Sequence, residues 1–179
     1  MPKATWVFGG IVGAQALVAA AETIEDKVPR SVRIRFLRQA PPHEPIRHTV
    51  AIVSDSNTFA DRRVETHSGE DLIATTTVVF HSPDDTDLGH QHTMPAVAPP
   101  DDELAVRGAG FESIDLNTPP IHGHAAAPSL QRHWMRAPGT PTNDAVVNPA
   151  MLTMASDLFL VASAWRPIEG RSIVDVGTV

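Results

Sequence analysis

The chain has 179 residues, a formal net charge of −7, a hydrophobic fraction of 42% and no Cys. That is enough apolar content for one ordinary domain or two small ones. The missing Cys excludes a disulfide scaffold, a thiolate nucleophile and a Cys-ligated metal. The acidic balance, the lack of Tyr and the 5% aromatic content argue against a nucleic-acid partner.

The first element is the apolar stretch "WVFGGIVGAQALVAAAETI", residues 6–24. Its Ala14, Leu17, Val18, Ala21 and Ile24 recur at helical spacing, which predicts a helix from about Gly10 to Glu25. The same stretch also fits a secretory signal, with a Lys before it and Ala19-Ala20-Ala21 after its apolar core. Gln15 and the three glycines argue against export. It falls short of the ~18 uninterrupted apolar residues that a membrane span needs, so no membrane role is expected.

An antiparallel meander is predicted next. "SVRIRFLR" alternates Val32, Ile34 and Phe36 with Arg33 and Arg35, the period of a strand with one buried face. "IRHTVAIV", "TFADRRVET" and the β-branched "LIATTTVVF" follow, separated by turn-forming "SDSN" and "HSGED". One long helix and then a run of strands is an α+β pattern, in which the sheet can wrap the helix. From His81 the composition shifts to five Asp and four Pro without periodicity, which reads as a linker. "FESIDL" and "QRHWMR" are short predicted strands. A second helix is predicted over "NPAMLTMASDLFLVASAWRP", with Asn148 as N-cap, Pro149 in the first turn and Pro167 as the stop. A β-rich "SIVDVGTV" closes the chain.

The motifs "WVFGGIVGAQAL", "RFLRQAPPHEPI", "SNTFADRRV", "HQHTMPAVAPPDDEL" and "ASDLFLVASAW", in this order, resemble the acyl-CoA thioesterase II family. The resemblance runs from Thr5 to at least Pro167. It implies a double hot-dog, in which each antiparallel sheet wraps one long central helix. The opening stretch is then the first central helix and not an export signal. The expected organisation is a first hot-dog over residues 1–82, a linker over 83–104 and an incomplete second hot-dog over 105–179, with both ends of the chain cut relative to the family.

The resemblance also implies an activity: hydrolysis of fatty acyl-CoA to free fatty acid and coenzyme A. A thiol of pKa about 8.5 leaves readily, so one positioned water can suffice. The family uses an Asp on the second helix, a Thr or Ser on a following strand and a later Gln. Asp157 in "ASDLFL" matches the first and Thr178 in "VDVGTV" the second, across a shorter gap. The Gln has no counterpart. Without the resemblance, Thr153, Ser156, Asp157 and Ser163 read as a solvated helix stripe.

Other candidates are weaker. His90 with His92, and His122 with His124, could chelate a metal but lack an acidic third ligand at a recognisable spacing. Arg33, Arg35 and Arg38 could meet the phosphates of coenzyme A or form a solvated sheet face. No cofactor or metal is implied. The expected partner is the acyl-CoA substrate, with self-association into a homo-oligomer and a cytoplasmic location. The alternative is a catalytically inactive hot-dog that only self-associates or binds acyl chains.

Overall fold

The computed structural model describes residues 6–83, 89–117, 126–140 and 143–168. The chain forms two compact units. One is Met1–Thr86 with Pro141–Met154, and the other is Asp87–Thr140 with Ala155–Val179.

The first unit is a helix lying against a four-stranded sheet. Helix α1 spans Gly9–Ala21, and strands β1 (Val28–Phe36), β2 (Ile46–Asp55), β3 (Phe59–Ser68) and β4 (Asp71–His81) follow. The sheet is antiparallel in the order β1-β4-β3-β2, so β1 and β2 are its edges. Register is set by the buried alternation: Val50 pairs with Val64 and Val64 with Thr76, while Arg62 and Val32 both pair with Val78. Strand β1 begins earlier than its alternation predicts, at Val28, and takes in Pro29. A proline is tolerated there because it sits at the start of an edge strand.

Of the predicted inward positions, Leu17 and Ala21 are buried and Ala14 and Ile24 pack against the core, but Val18 does not. Gly10, Val12, Gly13, Ala16, Leu17, Ala20 and Ala21 are buried, whereas Val18 is exposed. The helix is apolar nearly all round, so hydrophobicity does not single out a face. Side-chain size does. A Cβ on Gly10 would stand 2.5 Å from the Met154 carbonyl oxygen, and one on Gly13 would meet the Ile34 side chain. The smallest residues therefore face the closest neighbours. Ala16, Leu17 and Ala20 form the core with Ala60, Val64, Val78, Phe80 and Ala150.

Helix α1 also stops before the predicted Glu25. The Thr23 hydroxyl donates to Ala20 O at 2.7 Å, and the Arg62 guanidinium takes over that end. Arg62 is 2% exposed. It donates to Thr23 Oγ1 (2.7 Å) and Thr23 O (3.3 Å) on the helix side. On the sheet side it donates to Ser54 O (3.3 Å), Asp55 Oδ1 (2.8 Å) and Asp61 O (3.0 Å). A cation at the carboxyl end of a helix is favourably placed.

In the second unit, β5 (Val106–Gly108), β6 (Phe111–Asp115) and β7 (His133–Arg136) form an antiparallel sheet in the order β5-β6-β7. Strand β5 lies just after the predicted linker and, at three residues, carries too little pattern to be read. Its turn into β6 uses positive φ at Ala109 and Gly110. Phe111 and Ile114 are buried on this sheet. The Glu112 carboxylate is held between Arg107 (2.9 Å) and Arg136. No described helix is long and apolar enough to cross a membrane.

Candidate active site

The predicted second helix is two helices. Helix α2 spans Val147–Ser156 and α3 spans Leu160–Trp165, with a break at 157–159. The start also differs. Asp144 caps α2, since its Oδ1 accepts from the backbone N–H groups of Val146 (2.8 Å) and Val147 (2.7 Å). Those two bonds hold the Asp144 carboxyl below the usual range. Asn148, the predicted cap, already sits inside the first turn, with its N–H donating to Asp144 O at 3.2 Å. Thr153 turns its hydroxyl back onto Pro149 O at 2.8 Å.

Asp157 is the first residue of the break. It is half-buried, between an exposed Ser156 and half-buried Leu158 and Phe159. The Leu158 N–H reaches back only three residues, to Ala155 O at 3.1 Å, which tightens the chain and ends the α-helical ladder. The Ser163 N–H then bonds to Phe159 O at 3.4 Å and opens α3. The break divides the predicted polar stripe, because Thr153 lies on α2 and Ser163 on α3.

A side-chain cluster from the start of β7 and the residue two before it meets this break. Gln131 Nε2 donates to Phe159 O (3.1 Å) and to Ser163 Oγ (2.8 Å). The His133 ring stacks on the Phe159 ring, with centroids 3.9 Å apart and planes 8° from parallel. Nε2 of His133 lies 3.2 Å from Gln131 Oε1. Both residues also line an open cleft of about 250 Å3, with Met94, Pro95, Leu116 and Trp134. Sequence reasoning took Gln131 and His133 only as strand residues. The signal available was their i, i+2 spacing, which puts two polar groups on one side of an extended chain.

Thr178 lies outside the described residues, as do His122 and His124. The rings of His90 and His92 meet edge to face at 5.7 Å. Among the described residues no group of three His, Asp or Glu side chains gathers into a metal site. Arg33 and Arg35 stand on the exposed side of β1. Arg38 is different: it reaches Asp71 at 3.7 Å and lines an open, mainly apolar cleft of about 350 Å3 with Trp6, Val7, Val12, Phe36 and Ile73.

Residues 1–81 match the family described as the acyl-CoA thioesterase N-terminal domain. Acyl-coenzyme A thioesterase 8 of Mus musculus is 29% identical over 182 residues, which are 100% of this chain and 54% of the mouse protein. The chain thus spans about half the length of that relative. Among solved structures, an acyl-CoA thioesterase II TesB2 from Mycobacterium marinum superposes with a TM-score of 0.75 at 28% identity, over 89% of this chain and 62% of that one. A hot-dog-fold protein from Alicyclobacillus acidocaldarius superposes with a TM-score of 0.67 at 17% identity, over 90% and 62% of the two chains. The α+β architecture, a helix packed on an antiparallel sheet, is a hot-dog.

Proposed function

We propose that this chain, whose residues 1–81 match the acyl-CoA thioesterase N-terminal domain, hydrolyses fatty acyl-CoA to free fatty acid and coenzyme A, with Asp157 as general base. The observation that carries this reading is the place of Asp157. It is not one of a row of solvated helix residues but the half-buried first residue of a break between two helices. A half-buried carboxylate is a suitable acceptor for a proton from water. Asp157 takes that proton as the water oxygen bonds to the thioester carbonyl carbon. Collapse of the tetrahedral species breaks the C–S bond, and the departing thiolate recovers a proton. Thr178, matched by the family resemblance, is the hydroxyl that helps hold the water. The same reading divides the chain into a first hot-dog over residues 1–82, a connecting stretch over 83–104 and a second hot-dog unit over 105–179, and it goes with a cytoplasmic role in fatty acid metabolism.

The test is thiol release from medium- and long-chain acyl-CoA, read with a thiol-specific reagent. The chain has no Cys, so the protein contributes no background. Turnover is expected, and Asp157→Asn should lower kcat by about a hundredfold or more. No release above the uncatalysed rate overturns the activity.

A second reading is an inactive hot-dog that binds acyl chains or a second copy of itself. The open edge of the first sheet favours it, because β2 leaves Ile52 64% and Val53 61% exposed. Tight binding of a non-hydrolysable acyl-CoA analogue, with no turnover of the substrate, would select that reading.

A further inference from the structure

The thioesterase reading leaves unused the two side chains that meet the chain just after Asp157. Gln131 gives both of its established amide donations to this segment, one to Phe159 O and one to Ser163 Oγ. Phe159 O is also the acceptor that opens α3. Gln131 therefore closes the first turn of α3 from outside. With its nitrogen so engaged, its oxygen lies 3.2 Å from His133 Nε2, and Asn117 Nδ2 reaches the same ring nitrogen at 3.3 Å. The oriented imidazole then covers the face of the Phe159 ring.

The two gripping residues are themselves held. Asn117 pairs with both backbone groups of Arg132, the residue between them. Its Oδ1 accepts from Arg132 N at 2.9 Å, and its Nδ2 donates to Arg132 O at 3.2 Å. Asp115 Oδ1 in turn accepts from Asn117 Nδ2 at 2.6 Å and from Asn117 N at 2.8 Å. A continuous polar chain thus runs from the end of β6, through the start of β7, to the backbone two residues past Asp157.

We propose that Gln131 and His133 are positioning residues that clamp the 157–159 break and so fix the direction in which Asp157 presents its carboxylate. The inference rests on Asp157 being the base. It adds that the segment carrying the base is held by side chains 26 and 24 positions earlier in the sequence. A carboxylate in a helical turn is oriented by the ladder around it. At this break three contacts on Phe159 and Ser163 hold the segment from outside.

The experiment pairs amide hydrogen exchange over residues 157–165 with acyl-CoA hydrolysis kinetics, on the full chain. Gln131→Ala removes both donations. Gln131→Glu keeps the volume but replaces the donor with a carboxylate oxygen, so it should not rescue. Both variants are expected to exchange faster over 157–165 while β3 and β4 exchange as in the parent. Both should lower kcat about tenfold, with KM within about twofold. Should Gln131→Ala fail to fold, Ser163→Ala removes one of the two acceptors and carries the same expectation at about threefold. Unchanged exchange over 157–165 overturns the clamp. Faster exchange with an unmoved kcat in an active parent overturns its positioning role. A parent chain that does not turn over acyl-CoA sinks the thioesterase reading instead, and the exchange data still decide the clamp.

Discussion

Replacing Arg62 with Met tests whether one buried cation joins the helix to the sheet in the first unit. Methionine fills most of the same space, so the cavity contribution is small. What is lost is five hydrogen bonds, of which three are short: to Thr23 Oγ1 at 2.7 Å, Asp55 Oδ1 at 2.8 Å and Asp61 O at 3.0 Å. Asp55 is 53% exposed and can rehydrate, which lowers the cost. The acceptors at Thr23 are partly buried and cannot do so fully. Hydrogen bonds to charged groups are worth about 1.5–3 kcal/mol, and losing one partner of a buried ion pair about 3–5 kcal/mol. Because one partner is half-exposed, the expected cost falls at about 3 kcal/mol. Asp55→Asn should cost about 1 kcal/mol, because the guanidinium keeps its carbonyl acceptors. Urea unfolding followed by circular dichroism measures both, and exchange of the β3 and β4 amides assigns the loss to the first unit. If Arg62→Met stays within about 1 kcal/mol of the parent, the anchoring argument fails. If Asp55→Asn costs as much as Arg62→Met, the ion pair and not the backbone network is what matters.

Three further outcomes follow from the same structure. Gly10→Ala gains about 1 kcal/mol of helix propensity but drives a Cβ against the Met154 carbonyl, so a net loss of about 1–2 kcal/mol and a lower Tm are expected. Gly89→Ala, with nothing within 4 Å, is the control and should stay within about 0.5 kcal/mol. Burial holds the His48 imidazole below its ordinary value of 6.5, so the neutral ring's contribution is complete above pH 6.5 and is lost as pH falls through the lowered folded value. The urea midpoint should therefore drop more between pH 7.5 and 5.5 in the parent than in His48→Gln. Glu112 is held low, first by its hydrogen bond from Arg136 and then by the charges of Arg136 and Arg107. Its contribution is present above the ordinary glutamate value of 4.5 and fades as pH falls below it, so the gap in Tm between the parent and Glu112→Gln should close on acidification.

The strands of the first sheet were legible from their β-rich composition between turn signals. That reading marks 46–53, 58–66 and 72–80, and the strands run Ile46–Asp55, Phe59–Ser68 and Asp71–His81. Where that signal weakens, the reading slips. Val28 and Pro29 belong to β1 because an edge strand tolerates proline, a tertiary circumstance that local pattern does not carry. The exposure of Val18 on α1, and the burial of its glycines, were hidden for a related reason. Ala14 and Val18 are as apolar as Ala16 and Leu17, and only the approach of Met154 and Ile34 makes glycine necessary at 10 and 13.

The break before α3 is the clearest case of a feature that sequence pattern conceals. "MLTMASDLFLVASAW" has no glycine or proline, and its residues favour one continuous helix. Contacts from elsewhere meet it there: the Gln131 amide bonded to Phe159 O, and the His133 ring stacked on the Phe159 ring. Local propensity and tertiary hold thus oppose each other at one place, and that place carries Asp157. Such conflicts cost stability and persist where the surroundings over-determine them, which is more common at functional sites than in plain scaffold. The family resemblance selects Asp157 by its neighbours in sequence. The helix break falls on the same residue, the first of positions 157–159. A residue singled out by both is a better candidate base than either argument alone would make it.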